Sequence, residues 1–289
     1  MTENTDKTRF NTQARPNWCP GCGNFGIQTA LKKALLELEM QPHRVVMSSG
    51  IGCSSKIAHW VNIYGLHGLH GRALPIAAGM KLGNHDLTVI AEGGDGDGLS
   101  EGLNHFLQAA RRNVDFTYVL HNNNVFSLTT GQAATTANQG AITASTPQGA
   151  IEPPYQPCVL ALASGAGFVA RAFSGDSNQL KDLLVAAVKH PGFAFIEVLQ
   201  VCVTYNPAKG YKWYQERVYK LDETGYQPDD RQAALRLALD PDPDRLATGI
   251  LYQGESRPYR EALPMLHDGP LADRPDGDRD IDRLMHEFI

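Results

Sequence analysis

Short apolar runs alternate with amphipathic stretches along most of the chain. Val45–Met47, Leu87–Ala91, Phe116–Leu120, Phe168–Ala172 and Phe193–Val198 are too short for helices and largely apolar, the pattern of strands buried inside a sheet. Between them, apolar residues recur at helical spacing. Ile27, Leu31, Ala34, Leu35 and Leu38 form one face after Asn24, a candidate cap. Ala73–Leu82 is a helix of small residues. Leu99, Leu103, Phe106, Leu107 and Ala110 form another face, closed by Arg111 and Arg112, whose charges complement the helix dipole. Leu180, Leu183, Leu184, Ala187 and Val188 form a fourth, with Ser177 near its start. Strands alternating with helices predict an α/β fold with a mostly parallel sheet and helices on both faces.

Three regions break this rhythm. Residues 1–17 are polar and read as an extended arm. Ala133–Pro157, rich in Thr, Ala, Gly, Gln and Pro, is too long for a plain connector and reads as a functional loop. Beyond Tyr205 the composition shifts to Tyr, Trp, Lys and Glu, and Asp240-Pro241-Asp242-Pro243-Asp244 is a turn cluster. The tail places Ile281, Leu284, Met285 and Phe288 at helical spacing, which suits a helix packed on its own domain or docked on a partner.

Composition narrows the class. The 289 residues are 42% hydrophobic and 20% charged, with a net charge of −5. That suits a soluble globular protein and gives no sign of a nucleic-acid or anionic-membrane surface. No apolar run reaches spanning length, and the polar start shows no secretory signal, so the cytoplasm is the expected compartment. The five cysteines then read as metal ligands or core residues rather than disulfides.

The densest chemistry lies between the second and third strands. Leu87–Ala91 leads into Gly93-Gly94-Asp95-Gly96-Asp97-Gly98, a helix follows, and the next strand ends in Asn122-Asn123. Parallel sheets bind ligands at the carboxyl ends of their strands. Glycines admit a bulky anion to the backbone, and the helix behind them offers free amides to a diphosphate. Asp95 and Asn123 add the hard oxygens that magnesium takes, with diphosphate, a backbone carbonyl and water to complete the shell.

The cysteines are less determinate. Cys19-Pro20-Gly21-Cys22 brings two sulfurs together in a tight turn. By spacing alone it is a redox pair, half a zinc site, or half an iron–sulfur site. Cys53 lies in a Gly/Ser turn after a strand, either as a functional thiol or as a small buried residue. Cys202 also follows a strand, and Cys158 opens an apolar helix. Tyr64–Arg72 reads as a mobile loop, with His67, His70 and Arg72 available to stabilise charge and His67 and His70 as a less favoured metal pair.

Together these segments resemble the β subunit of the 2-oxoacid:ferredoxin oxidoreductases. The resemblance covers nearly the whole chain. It rests on WCPGCGN at 18–24, GIGCSSK at 50–56, YGLHGLHGRALP at 64–75, GDGDG at 94–98, RRN at 111–113, HNNNVFSLTTGQ at 121–132 and CVTYN at 202–206. It implies a thiamine-diphosphate-binding fold over 18–204 that carries one 4Fe–4S cluster, and a partner-docking extension over 205–289. It implies Cys19, Cys22, Cys53 and Cys202 as cluster ligands, with no counterpart for Cys158. Magnesium would be held by Asp95, Asn123 and the Val125 carbonyl. Gly94, Asp95, Gly96, Asp97, Asn123, Val125, Leu128 and Thr129 would meet the cofactor.

The implied reaction is oxidative decarboxylation of a 2-oxoacid, with coenzyme A taking the acyl group and the cluster passing electrons singly to ferredoxin. It is reversible as carbon dioxide fixation. Lys56 would meet the substrate carboxylate, and His70 and Arg72 would lie near the reacting centre. The wording of GLHGLHGRALP with GDGDG leans to 2-oxoglutarate, and pyruvate or a broad range of 2-oxoacids is the alternative. Phe126-Ser127 stands where Tyr-Gly is frequent, and Thr130 where Gly or Lys is frequent, so this loop bears most on substrate choice. One diphosphate motif without a second such domain implies an α subunit, in an αβ pair or its dimer. A non-oxidative thiamine decarboxylase or synthase would keep the Gly-Asp-Gly and Asn-Asn motifs but have no use for four cysteines. A non-catalytic electron-transfer or zinc-stabilised subunit is the other rival.

Overall fold

A computed structural model describes residues 8–240, 242, 244–274 and 285–286. Its centre is an eight-stranded sheet. The strands are β1 (Val45–Ser49), β2 (Tyr64–His67), β3 (Thr88–Gly94), β4 (Thr117–Asn122), β7 (Phe168–Phe173), β8 (Ala194–Leu199), β9 (Val218–Lys220) and β10 (Leu246–Gln253). A separate hairpin pairs β5 (Val125–Phe126) with β6 (Gln132–Ala133). The order across the sheet is β2-β1-β3-β4-β8-β7-β10-β9, and only the β7–β10 pairing is antiparallel.

Alternation along the strands divides the core into two layers. Val45, Met47, Ile90, Val119, Ile196 and Ala170 face one side. There they pack on α1 (Asn24–Glu37) and α5 (Ser177–Lys189). Val46, Val89, Ala91, Tyr118, Phe195 and Val169 face the other. That layer is covered by α2 (Ala73–Gly83), α3 (Leu103–Arg112), α4 (Pro157–Ala163) and α7 (Arg231–Ala238). A short helix, α6 (Tyr211–Gln215), closes a small satellite core around Phe173, Val201 and Tyr214. Among the described residues, no helix is long and apolar enough to cross a membrane.

Several expectations change. Tyr64–His67 is an exposed edge strand, not part of a loop, paired in parallel with β1. Its glycine and polar content hid it, because an edge strand with no buried face need not be apolar. Asn24 does not cap α1. Gly23 holds that position, and the Asn24 side chain is buried with its Oδ1 2.9 Å from His121 Nδ1. The helix after the glycine turn is two pieces, a π-type turn over Gly96–Glu101 and then α3, hinged at Gly102. Phe10 of the arm is fully buried in the first core layer. The sheet does not stop near residue 205, since β9 and β10 extend it. The tail helix lies outside the described residues, apart from Met285 and His286.

Cys158 is buried as expected, but its surroundings are not purely apolar. Its Sγ lies 3.1 Å from Glu197 Oε2, which also accepts from Arg171 Nε at 2.8 Å. Asn122 Nδ2 donates to the other oxygen at 2.7 Å. Burial alone would raise the Glu197 pKa, but Arg171 overrides it and holds the carboxyl below its ordinary range. Removing one partner would leave an uncompensated charge inside the protein. Arg171→Met is therefore expected to cost about 3–5 kcal/mol of stability. Urea unfolding of the variant checks this, and an unchanged midpoint would contradict it.

Candidate active site

The carboxyl ends of β1, β3, β4 and β8 lie side by side, because these strands are parallel neighbours. The chain leaves β1 for the edge at β2 and returns to β3 on the other side. The crevice between β1 and β3 is thus a point where strand order reverses, the usual ligand position in open α/β sheets. A cavity opens there, lined by Ile51, Cys53 and Ser54 after β1, Gly94–Asp97 after β3, and Asn123 and Val125–Thr129 after β4. All eight residues read from the sequence as cofactor contacts line it, and so does His70.

Asp95 is the electrostatic centre of this cavity. It is 1% exposed. Its Oδ2 accepts from Asn124 N at 2.8 Å and from the Thr136 hydroxyl. Among the described residues, its buried Oδ1 has no hydrogen-bond partner. Burial pushes its pKa up to about 6, against the pull of Thr136 and the Asn124 N–H. A carboxylate with one oxygen pinned and the other bare is ready for a cation. Asn123 is also fixed: its Nδ2 donates to Gln200 Oε1 at 2.6 Å, and its Oδ1 accepts from Val125 N at 3.1 Å, leaving a lone pair. These hard oxygens fit a small divalent cation.

Asp97 plays a different part from Asp95. Its Oδ1 accepts from Ile51 N at 3.0 Å and Gly71 N at 2.8 Å, and His70 Nδ1 lies 2.8 Å away. Burial raises its pKa, while the two amides and His70 pull it down. One carboxylate therefore ties the turns after β1 and β2 to the floor of the cavity. A Cβ at Gly50 would fall 1.8 Å from Asp97 Oδ2, so only glycine fits there.

The other two side chains given catalytic roles do not line the cavity. Lys56 Nζ lies 3.5 Å from Asn17 Oδ1, and Arg72 is exposed at the start of α2. His67 pairs with His59, Nδ1 to Nε2 at 2.7 Å, and not with His70.

A second cavity adjoins the first. Trp18, Cys19, Cys22, Cys53, Gln200, Cys202 and Tyr205 line it, and Cys53 and Ser127 belong to both walls. The four thiols thus come from three distant segments, whereas Cys158 lies elsewhere. Donors already point at three sulfurs: Gln200 Nε2 at Cys22 (3.4 Å), Thr204 Oγ1 at Cys19 (3.2 Å) and Tyr205 N at Cys202 (3.5 Å). Burial first, then the neighbouring Cys202, Cys53 and Cys19, push the Cys22 pKa up to about 12. Four thiolates so close would need cations among them. Among the described residues, no three His, Cys, Asp or Glu side chains are arranged to hold a single metal ion. The four thiols line one cavity.

Asn124, Thr136 and Gln200 are supporting residues that local pattern could not identify. Asn124 adopts a left-handed conformation (φ 66°), and its Oδ1 accepts from Lys209 Nζ at 2.7 Å. Only the run of three asparagines hinted at it. Thr136 lies in the long loop, where no periodicity marks it.

Comparison with known proteins identifies the fold and the family-level likeness. Residues 50–198 match the family model described as thiamine pyrophosphate enzyme, C-terminal TPP binding domain. Residues 202–268 match the model that describes the C-terminal part of the pyruvate ferredoxin oxidoreductase beta subunit. The chain is 47% identical over 272 residues to the 2-oxoacid:ferredoxin oxidoreductase subunit beta of Saccharolobus solfataricus, covering 89% of each. It is 43% identical over 216 residues to the 2-oxoglutarate oxidoreductase subunit KorB of Mycobacterium tuberculosis, covering 73% of this chain and 58% of that one. A solved 2-oxoglutarate:ferredoxin oxidoreductase from Magnetococcus marinus, with 2-oxoglutarate, coenzyme A and succinyl-CoA bound, superposes with a TM-score of 0.90 at 34% identity, covering 99% of this chain and 96% of that one.

Proposed function

Because the chain belongs to the β subunits of the 2-oxoacid:ferredoxin oxidoreductases, we propose that it binds thiamine diphosphate with magnesium in the cavity at Asp95 and a 4Fe–4S cluster in the cavity of four thiols. The observation that carries this reading is the shared wall at Cys53 and Ser127. A decarboxylating cofactor and an electron acceptor need to be neighbours, and here their cavities adjoin.

Asp95 Oδ1, Asn123 Oδ1 and the Val125 carbonyl hold magnesium. Gly94, Gly96 and Asp97 form the floor of the cofactor cavity, and Leu128 and Thr129 its rim. Cys19, Cys22, Cys53 and Cys202 hold the cluster. When bound, thiamine diphosphate supplies the carbanion chemistry that releases carbon dioxide from a 2-oxoacid, and the cluster takes the electrons. The protein positions and screens. His70 Nδ1 lies 2.8 Å from Asp97 Oδ1 in the cavity wall, where the imidazole is available to a polar group of the substrate. The Phe126 ring lies against Gly96, at the site of an added Cβ, and its centroid is 5.9 Å from that of His70. It thus narrows the cavity on the side of the loop that departs from the commoner family wording.

The family's β-subunit architecture supports an α subunit as the partner that completes the active site. The exposed edge at β2, with Tyr64, Leu66 and Leu69 uncovered, is available to it. Coenzyme A accepts the acyl group, ferredoxin takes the electrons, and 2-oxoglutarate is the proposed substrate. The reaction runs in reverse with a sufficiently reducing ferredoxin. Similarity to KorB and to the 2-oxoglutarate-bound structure supports that choice.

The test is a 2-oxoacid panel on the anaerobically purified αβ complex, with viologen reduction as the readout. Coenzyme-A-dependent reduction with 2-oxoglutarate and little with pyruvate is expected. Pyruvate-dominated reduction would overturn the substrate assignment and keep the class. No reduction with any 2-oxoacid would overturn the activity.

A further inference from the structure

We infer that Gln200 is a positioning residue that couples the two cofactor sites, by holding a magnesium ligand with one end of its amide and a cluster ligand with the other. This rests on the assignments above.

Gln200 follows β8 directly and is 2% exposed. Its backbone N–H donates to Asn122 O at 2.9 Å, which extends the β4–β8 pairing by one rung and fixes the residue's position. Its side-chain Oε1 accepts from Asn123 Nδ2 at 2.6 Å. Its Nε2 donates to Val201 O at 2.6 Å and to Cys22 Sγ at 3.4 Å. Both ends of the amide are therefore occupied, and the carbonyl of the next residue fixes its rotation. Gln200 also lines the thiol cavity, while Asn123 lines the cofactor cavity.

The two ends of the amide have separate consequences. Asn123 can present its Oδ1 to magnesium only if its amide is turned one way. The acceptor on Gln200 enforces that orientation together with the Val125 N–H, because Nδ2 faces Oε1 at 2.6 Å while Oδ1 accepts from Val125 N at 3.1 Å. Outer-shell partners of this kind typically contribute about 10–100-fold in metal affinity. At the other end, an N–H donated to a cysteine sulfur stabilises the more negative, reduced state of a cluster. Hydrogen bonds to sulfur are among the levers that set cluster potentials. One rigid side chain thus sets the geometry of the metal that anchors the electron donor and the potential of the electron acceptor.

Two substitutions in the αβ complex test this. Gln200→Met keeps the length and removes both polar ends. Gln200→Glu keeps an oxygen for Asn123 and has no amide N–H for Cys22. Two quantities are read: the magnesium concentration that half-saturates thiamine diphosphate retention, by equilibrium dialysis, and the cluster midpoint potential, by a redox titration followed by electron paramagnetic resonance.

Gln200→Met is expected to raise the half-saturating magnesium about 10–100-fold and to lower the potential. Gln200→Glu is expected to lower the potential while changing half-saturation by no more than a few-fold. A Met variant that shifts only one quantity, or neither, would overturn the coupling. If the Met variant fails to assemble, a Glu variant with the wild-type potential would overturn it. A wild-type complex with no iron–sulfur signal, or with cofactor retention independent of magnesium, would instead overturn the site assignments on which the coupling rests.

Discussion

Alanine at Asp95 is expected to abolish magnesium-dependent retention of thiamine diphosphate and, with it, all 2-oxoacid-dependent reduction. The cause is local. Oδ1 of Asp95 is a buried carboxylate oxygen without a hydrogen-bond partner among the described residues, and Oδ2 is held by Asn124 and Thr136. Alanine removes both the charge and the geometry, so the loss should exceed the roughly 10–100-fold typical of outer-shell changes. Equilibrium dialysis with and without magnesium measures it, and full occupancy in the variant would refute the site.

The same residue should also cost stability when no metal is bound. Burial moves its pKa from 3.8 to about 6. At ~1.4 kcal/mol per tenfold, that opposes the charged form by about 3 kcal/mol above pH 6. The sign follows from the direction. A raised carboxyl pKa means that the folded chain holds its proton longer, so stability falls as pH rises from 3.8 to about 6. Asp95→Asn keeps an oxygen for the two donors and carries no charge. Without metal it is expected to unfold at a higher temperature than the wild type at neutral pH, while failing to bind the cofactor.

The second large effect lies in the thiols. Serine at Cys22, Cys53 or Cys202 is expected to remove the visible iron–sulfur absorbance and electron delivery to ferredoxin, while thiamine diphosphate still binds. Cys158→Ser should retain the absorbance, because that thiol faces Glu197 and Arg171 and is not part of the thiol cavity. The raised Cys22 pKa adds a consequence: the metal-free Cys22 thiol is neutral at ordinary pH, so its ligation must release a proton. A colourless wild-type protein with stoichiometric zinc would show that the thiols serve structure alone.

How far the sequence alone leads depends on the kind of interaction. Buried strands are legible because β3, β4 and β8 are buried on both faces and therefore mostly apolar, and a run such as Phe193–Val198 has few other uses. The crevice proposed for the cofactor is legible because its glycines, Asp95 and Asn123 are grouped at strand ends. The edge strand β2 is not, since none of its residues is buried. Nor is the continuation of the sheet through β9 and β10, which follow a composition shift that suggests a separate unit. The roles of Asn24, Thr136 and Gln200 depend on partners 97, 41 and 77 residues away, and no local pattern encodes such distances. Lys56 and Arg72 carry the reverse lesson: the motifs include both, but the cavity lining does not.

The most direct test of the central claim, that one chain seats a decarboxylating cofactor beside its own electron acceptor, is a single-turnover experiment. The αβ complex, purified anaerobically with thiamine diphosphate and magnesium, is mixed with 2-oxoglutarate and coenzyme A without ferredoxin, and its visible absorbance is followed. Bleaching of an iron–sulfur band, absent in the Asp95→Ala complex, is the expected result. Carbon dioxide release without any change in that band would mean that the thiol cavity does not receive the electrons, and would contradict the claim.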